Sequence, residues 1–317
     1  MKSSSLGVVM DPISQINSKK DSTFAMLLEV QKREWPIFYM EQTDLFFQHD
    51  IPCAKMRTLT VREEVKNWFE FGKEIIQRLD KLSVILMRKD PPIDMQYIYT
   101  THLLDKAEQQ GVHVVNKPRS LRDFNEKLFT LNFPQCCPPT LVTHTLEAAK
   151  RFLEEHEDVI AKPLDGMGGF AVFRLRKNDV NVNVILETLS NDNQRYMVVQ
   201  RYIPEISAGD KRILMINGEP VPYALARIAA PGETRANLVR GAKGIGVQLS
   251  KRDHWICQQL GSILREKGLY FVGLDVIGNY LTEINITSPT GIRELDEQLD
   301  LNIAGMLMDI ILKRAQL

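Results

Sequence analysis

Charge of one sign is what this 317-residue chain most plainly lacks: 40 Lys plus Arg stand against 40 Asp plus Glu, a formal net charge of zero. A protein held to nucleic acid by counterion release, or to an anionic membrane, carries a basic surplus, so neither partner is expected. Cysteine is scarce. Cys53, Cys136, Cys137 and Cys257 fit neither a metal-ligand spacing nor a dense disulfide framework, and they read as reduced thiols in a cytoplasmic protein. Long apolar runs are missing too. The run at 6–10 is cut by Asp11-Pro12, whereas a signal peptide needs roughly 7–15 apolar residues and a membrane helix about 20. No fixed-period repeat or low-complexity tract occurs, which excludes solenoids and tails. The six histidines are scattered, and no Ser, Cys or His constellation suggests a covalent nucleophile.

What is present is a composition of ordinary globular kind, in a chain long enough for about two or three domains. Residues 6–10, 36–40, 83–87 and 112–115 read as short buried strands. Residues 22–33 and 96–110 read as helices, the first with Phe24, Leu27 and Leu28 at helical spacing. Strands separated by helices imply a parallel α/β sheet. Ligands on such sheets sit beyond the carboxyl ends of the strands, which makes the loops 11–20 and 88–94 candidate site segments. After Pro118, Ser120 with Asp123 three residues on predicts a helix to about residue 132 that carries Lys127. Thr145 predicts the start of a helix over 146–156. Strands at 159–162 and 170–176 flank a glycine loop, 182–189 is helical, and 196–203 is a strand. The last third opens with a hairpin of 212–216 and 221–227 around Asn217-Gly218. A polar loop over 229–246, a helix over 251–267 and a hairpin of 271–277 and 281–286 complete the chain.

Two segments carry chemistry. In IAKPLDGMGGFAVFRL, Lys162 ends a strand and Gly166, Gly168 and Gly169 follow. Glycines let backbone N–H groups close around phosphate oxygens while a neighbouring lysine supplies charge. Residues 166–171 also match the dinucleotide fingerprint G-x-G-x-x-A, but that motif must open a helix and here a strand-like run follows, so the Rossmann reading fails. In FVGLDVIGNYLTEINITSPT, Glu283 and Asn285 are two apart on a strand and share a face, with oxygen ligands suited to Mg²⁺. Asp275 lies on the partner strand, and register decides whether it joins them. A plain two-residue turn at Gly278-Asn279 pairs Asp275 with Thr282 and separates the carboxylates. A three-residue turn or one bulge brings all three to one face. The second is expected, because Val272, Leu274, Val276, Ile284 and Ile286 then form the apolar side.

Taken together these segments resemble ATP-grasp enzymes, and more narrowly the bacterial glutathione synthetases. The likeness runs from VVMDPI through VILMRKDPP, VNKPRSLRDFNEKLF, KPLDGMGG, GDKRIL, NGEPVPYALARI, GETRAN and FVGLDVIG to LTEINITSPT. It implies an ATP-grasp fold preceded by a parallel-sheet α/β domain, divided at 1–122, 123–203 and 204–317. It implies ATP as co-substrate, Mg²⁺ or Mn²⁺ as the metal, and ligation of γ-glutamylcysteine to glycine through an acylphosphate. A homo-oligomer, a tetramer by resemblance, is expected as well. By the same resemblance Lys127 and Lys162 contact nucleotide phosphates under the loop of Asp165, Gly166, Met167, Gly168 and Gly169. Gln200, Tyr202 and Ile203 surround adenine, and Asp210 lies on the ribose side. Arg212 and Arg235 act at the transferring phosphate and acceptor carboxylate, and Asp275, Glu283 and Asn285 bind metal. Arg88, Asn237, Ser288 and Thr290 are the remaining substrate-side candidates. The triplet Arg235-Ala236-Asn237 departs from the family's Arg-Gly-Asn in a stretch that resembles the mobile lid. Two other readings compete. A ligase for another acceptor is disfavoured by MDP and MRKDPP, which lie outside the shared ATP site. A nucleotide-binding scaffold without chemistry, of the kind synapsins resemble, is disfavoured by the intact Lys162, Arg212, Asp275, Glu283 and Asn285.

Overall fold

The computed structural model describes residues 4–64, 66–228 and 243–315, within which sixteen strands form three sheets. The first sheet contains β1 (Leu6–Val9), β2 (Ile37–Met40), β3 (Leu45–Gln48), β4 (Ile51–Val61), β5 (Phe69–Arg78), β6 (Val84–Met87) and β7 (His113–Val115). β2, β1, β6 and β7 are parallel neighbours. Helices α1 (Ser22–Lys32) and α2 (Met95–Gln109) make the crossovers, each started by an aspartate side chain. Asp21 accepts the Phe24 N–H at 2.7 Å and Asp94 the Tyr97 N–H at 2.8 Å. β1 and β6 are buried along their whole length, as central parallel strands require.

The parallel expectation holds for only half of this sheet. β3, β4 and β5 are antiparallel additions, with β4 pairing β2, β3 and β5. Their alternation is broken by Pro52, Lys55 and Lys73 and by a register shift between Arg57 and Leu59, so no clean strand period marks them. Helix α3 (Pro118–Asp123) is shorter than expected. Ser120 lies inside it and donates to the Lys267 carbonyl rather than capping it. The chain then breaks and re-enters a 3₁₀ turn at Leu128–Asn132. Pro at the first helical position sets the true start.

The second sheet is antiparallel throughout, with β8 (Thr140–Thr143), β9 (Asp158–Pro163), β10 (Phe173–Arg176) and β11 (Met197–Arg201) in the order β10-β9-β11-β8. α4 (Leu146–His156) and α5 (Val182–Ser190) pack on it through Ala149, Leu153, Leu186 and Leu189. Thr145 sits at the start of α4, but the Leu146 N–H goes to Asn193 Oδ1 at 2.8 Å. β10 begins three residues later than expected, because Gly166, Gly168, Gly169 and Ala171 all have positive φ and extend the loop.

The third sheet has the order β14-β13-β12-β15-β16, from β12 (Asp210–Ile216), β13 (Glu219–Ile228), β14 (Lys243–Gln248), β15 (Phe271–Ile277) and β16 (Tyr280–Asn285). β14 begins where a polar loop was expected, alternating against β13. Asn217 and Gly218 turn β12 into β13 with φ of 49° and 78°, as a two-residue hairpin turn demands. α6 (Lys251–Glu266) starts with a capping box between Ser250 and Asp253. α7 (Ile292–Leu299) and α8 (Ile303–Ala315) close the chain, α8 against α1. Among the described residues no helix is long and apolar enough to cross a membrane.

Candidate active site

Register in the β15–β16 hairpin places the carboxylates. Ile277 pairs Tyr280 and Val276 pairs Leu281, the pattern of a two-residue turn, but the ladder then shifts by one so that Asp275 faces Glu283 and Gly273 faces Asn285. Thr282 is the bulged residue, and its hydroxyl donates to the Asp275 carbonyl at 3.1 Å. Asp275, Glu283 and Asn285 therefore share a face. Val272, Leu274, Val276, Ile284 and Ile286 are fully buried on the other.

That face forms one wall of a cleft with a cavity volume of about 270 Å³. The opposite wall comes from β9, the glycine loop and β11. Lys127, Lys162, Gly166, Met167, Gly168, Gly169, Gln200, Tyr202, Ile203, Asp210, Arg212, Asp275, Glu283 and Asn285 all line this one cleft. Asp165 belongs to the same loop without lining it. Arg235 and Asn237 lie outside the described residues.

Four cations meet three carboxylates here. Arg212 grips Asp275 with Nε at 2.5 Å and Nη2 at 2.9 Å, and Arg227 adds Nη2 at 3.0 Å. Burial works to raise the Asp275 pKa, but these two guanidiniums outweigh it and hold the carboxyl below the usual carboxylate range. Arg227 also forks onto both oxygens of Asp210, at 2.8 and 2.5 Å. Lys127 Nζ reaches Glu283 Oε1 at 3.0 Å and the Gly166 carbonyl at 3.0 Å. Lys162 is buried with the Thr282 carbonyl 3.5 Å away; burial pushes its pKa down, and Glu283 partly restores it. Lysines resting on carbonyls and a carboxylate at a glycine loop are placed to exchange those partners for phosphate oxygens.

Among the described residues no three His, Cys, Asp or Glu side chains converge as a metal centre. The hairpin instead offers two carboxylates and an amide. Mg²⁺ is commonly held by one or two carboxylates completed by substrate phosphates, so this donor set fits a hard divalent ion that arrives with a nucleotide.

Arg88, Ser288 and Thr290 form a second group beside the cleft. Arg88 is buried and donates to Thr23 Oγ1 at 3.0 Å, the Pro289 carbonyl at 3.0 Å and the Thr287 carbonyl at 3.4 Å. Ser288 donates to Asp90, and the Thr290 carbonyl accepts from Arg212 at 3.4 Å. The 287–290 turn thus connects the carboxyl end of β6 to the arginine at the cleft.

Sequence models of two prokaryotic glutathione synthetase domains match this chain, the N-terminal domain over residues 5–122 and the ATP-grasp domain over 126–300. The chain belongs to the prokaryotic glutathione synthetase family. Curated relatives named glutathione synthetase agree along almost the whole length. That of Pseudomonas syringae pv. tomato is 58% identical over 311 residues, 98% of each chain. That of Pseudomonas aeruginosa is 56% identical over 306 residues, 96% of each. That of Coxiella burnetii is 52% identical over 303 residues, 96% of this chain and 94% of its own. Solved structures share the fold at far lower identity. D-cycloserine synthetase DcsG has a TM-score of 0.67 at 13% identity, covering 96% of this chain and 99% of that one. ATP-grasp ligase PsnB with its minimal precursor has a TM-score of 0.64 at 18% identity, covering 98% and 99%.

Among the charged residues at the site that escaped the sequence reading are Arg227, Arg174 and Glu126. Arg227 faces Asp210 only because the β12–β13 ladder shifts between Ile213 and Met215. Without that shift Asp210 would face Leu225, so nothing local signals the pair. Arg174 lies over the Tyr202 ring at 3.5 Å and forks onto Asp158, which gives that end of the cleft a flat platform. Glu126 stands beside Lys127 in the chain.

Proposed function

We propose that this chain joins γ-glutamylcysteine to glycine as ATP becomes ADP and phosphate. The observation that carries the reading is near-full-length identity above 50% to enzymes named glutathione synthetase, across the N-terminal region as well as the cleft. A carboxylate is a poor electrophile because its leaving group would be oxide. Transfer of the γ-phosphoryl group onto it gives an acylphosphate, and the glycine amine then displaces phosphate. Positioning and charge neutralisation do this work, and no covalent protein nucleophile is needed.

Lys127 and Lys162 hold the nucleotide phosphates under the loop 165–170. Gln200, Tyr202 and Ile203 frame adenine, with Asp210 towards the ribose. Arg212 must leave Asp275 to reach the transferring phosphoryl group, while Arg227 stays between Asp275 and Asp210 and keeps their charge compensated. Asp275, Glu283 and Asn285 would hold Mg²⁺, or Mn²⁺ in its place, which when bound supplies neutralisation of phosphate charge. Arg88, Ser288 and Thr290 serve the substrate side through the 287–290 turn, with Asn237. Arg235 covers the acylphosphate against water. The divisions 1–122, 123–203 and 204–317 assign one sheet to each domain. A homo-oligomer and a cytoplasmic location complete the reading, the latter supported by four unbonded thiols.

ADP release measured with γ-glutamylcysteine, glycine, both, or neither tests it. Release that requires both is expected. Release with another acceptor pair would move the chain to a different ligase activity, and none at all would make it a binding scaffold. Arg235→Ala should lower turnover and raise ATP hydrolysis uncoupled from peptide, and unchanged coupling would refute the covering role.

A further inference from the structure

We propose that Glu126 is a positioning residue for this reaction, fixing where β16 ends and so setting Glu283 and Asn285 against Lys127. The inference rests on the ligase reading above.

β16 is the last strand of its sheet and has β15 on one side only. An uncovered edge leaves alternate backbone N–H groups without partners. Here Ile284 and Ile286, two residues apart, both turn their N–H groups away from β15, and both go to Glu126. The Ile284 N–H donates to the Glu126 carbonyl oxygen at 2.9 Å and the Ile286 N–H to Glu126 Oε1 at 2.8 Å. The same Oε1 accepts the Thr287 N–H at 3.1 Å and the Thr287 hydroxyl at 3.0 Å. One residue thereby stands in for a neighbouring strand along the end of β16.

The other side of this backbone is held as well. Asn116 Nδ2 donates to the Ile286 carbonyl at 2.8 Å, and Arg88 holds the carbonyls of Thr287 and Pro289. Among these clamps Glu126 is the one joined directly to the cleft, because the next residue is Lys127, whose ammonium touches Glu283 and the Gly166 carbonyl. Asn125 fixes the approach, accepting the Lys127 and Leu128 N–H groups at 3.0 and 3.1 Å. Residues 125–127 therefore tie the glycine loop, the phosphate lysine and the carboxylate strand in one span. Glu126 is buried, and a buried carboxylate must be matched by donors; three on one oxygen meet that need. A side chain of this kind, behind ligands rather than among them, orients them, and its loss typically costs about 10–100-fold in metal affinity or activity.

The full chain carrying Glu126→Gln or Glu126→Leu tests this. Gln keeps an oxygen that accepts the same donors, and Leu, of similar size, keeps none. Amide hydrogen exchange at Ile286 and Thr287 is read without substrates. The half-saturating Mg²⁺ concentration, kcat and metal-free ATP binding are read alongside. Glu126→Leu is expected to speed exchange of both amides at least about tenfold and to raise the half-saturating Mg²⁺ about 10–100-fold. Its metal-free ATP dissociation constant should stay within about twofold, since Glu126 does not reach the adenine end. Glu126→Gln should restore both the amide exchange and the Mg²⁺ dependence to within about threefold of the wild type. Wild-type exchange and Mg²⁺ dependence in Glu126→Leu overturn the proposal, and so does a Gln variant as impaired as Leu. Should Glu126→Leu fail to fold, Glu126→Asp withdraws the oxygen by one methylene and is expected to show the Leu pattern; wild-type behaviour there overturns the proposal. Failure of the ligase reading looks different: the wild type would then release no ADP with dipeptide and glycine, whatever the exchange at 286 and 287.

Discussion

Asp275→Asn separates the electrostatic demands of this cleft from its chemistry. Asp275 is 6% exposed and its carboxylate carries three guanidinium contacts, two from Arg212 and one from Arg227. Asparagine keeps one oxygen and loses the charge. Arg227 retains its fork onto Asp210, so Arg212 is the cation left uncompensated, with the Thr290 carbonyl at 3.4 Å as its remaining contact. Breaking a buried pair by removing one partner costs about 3–5 kcal/mol, and the surviving amide oxygen and Asp210 put this case near 3. At roughly 2 °C per kcal/mol for a chain of this size, the melting temperature should fall by about 6 °C. The pKa of Asp275 is depressed in the fold, so its stabilisation is present above the unfolded value of 3.8 and is lost as pH falls through the depressed folded value. The deficit of the variant should therefore be equal at pH 7 and pH 5 and shrink only below about pH 4. Denaturant unfolding followed by tryptophan fluorescence at pH 7, 5 and 3 reads both quantities. A deficit under about 0.5 kcal/mol at pH 7 would refute the reasoning, because that is the range of an ordinary surface change. Turnover should drop at least about 100-fold in the same protein. The double variant Asp275→Leu with Arg212→Met should recover stability but not activity, since replacing both partners removes the uncompensated charge.

Gly273→Ala places a methyl 2.8 Å from Arg212 Cδ and 2.9 Å from Pro289 Cβ; turnover should fall about tenfold or more with ATP affinity unchanged, as read by steady-state kinetics and calorimetry. Lys162→Met should weaken ATP binding at least about tenfold. Because burial lowers the Lys162 pKa below 10.5, wild-type ATP affinity should decline with rising pH before an ordinary lysine would titrate, and this decline should vanish in the variant. Burial raises Asp296 to about 6 while its Oδ1 accepts the Ile303 N–H at 3.1 Å. Between pH 3.8 and 6 the folded state holds the proton and the unfolded state does not, so stability falls as pH rises through that window. Asp296→Asn should gain about 1 kcal/mol at pH 7, discounted for partial exposure, with the gain gone below about pH 4 in parallel denaturation curves.

The parts of this molecule open to sequence reading are those governed by local rules. Phe24, Leu27 and Leu28 mark the first helix by their spacing, and Asn217-Gly218 marks a hairpin turn. The glycines at 166, 168 and 169 announce a loop with positive φ. Even the shared face of Asp275 and Glu283 followed from asking which residues the apolar side needs. Residues 45–78 resisted because β3 and β5 lie at the sheet margin and Lys55, Arg57, Lys73 and Glu74 interrupt the alternation of β4 and β5. The helix expected through Lys127 is broken because Asn125 starts a separate turn, accepting the Lys127 and Leu128 N–H groups, while the Glu126 side chain accepts from Ile286 and Thr287, far away in sequence.

By itself, then, the sequence determined the class of the fold and the family, since each is written in short-range periodicity and motif order. Tertiary structure alone decided the pairings. That Arg227 meets Asp210 follows from a ladder shift further along the same pair of strands, between Ile213 and Met215, that Arg212 and Arg227 share Asp275 follows from three strands lying side by side, and that Glu126 covers the end of β16 follows from an edge needing donors matched. The neutral total charge of the chain reappears in the cleft as opposed charges held within hydrogen-bonding distance, because buried ions persist only where the fold brings their partners to them.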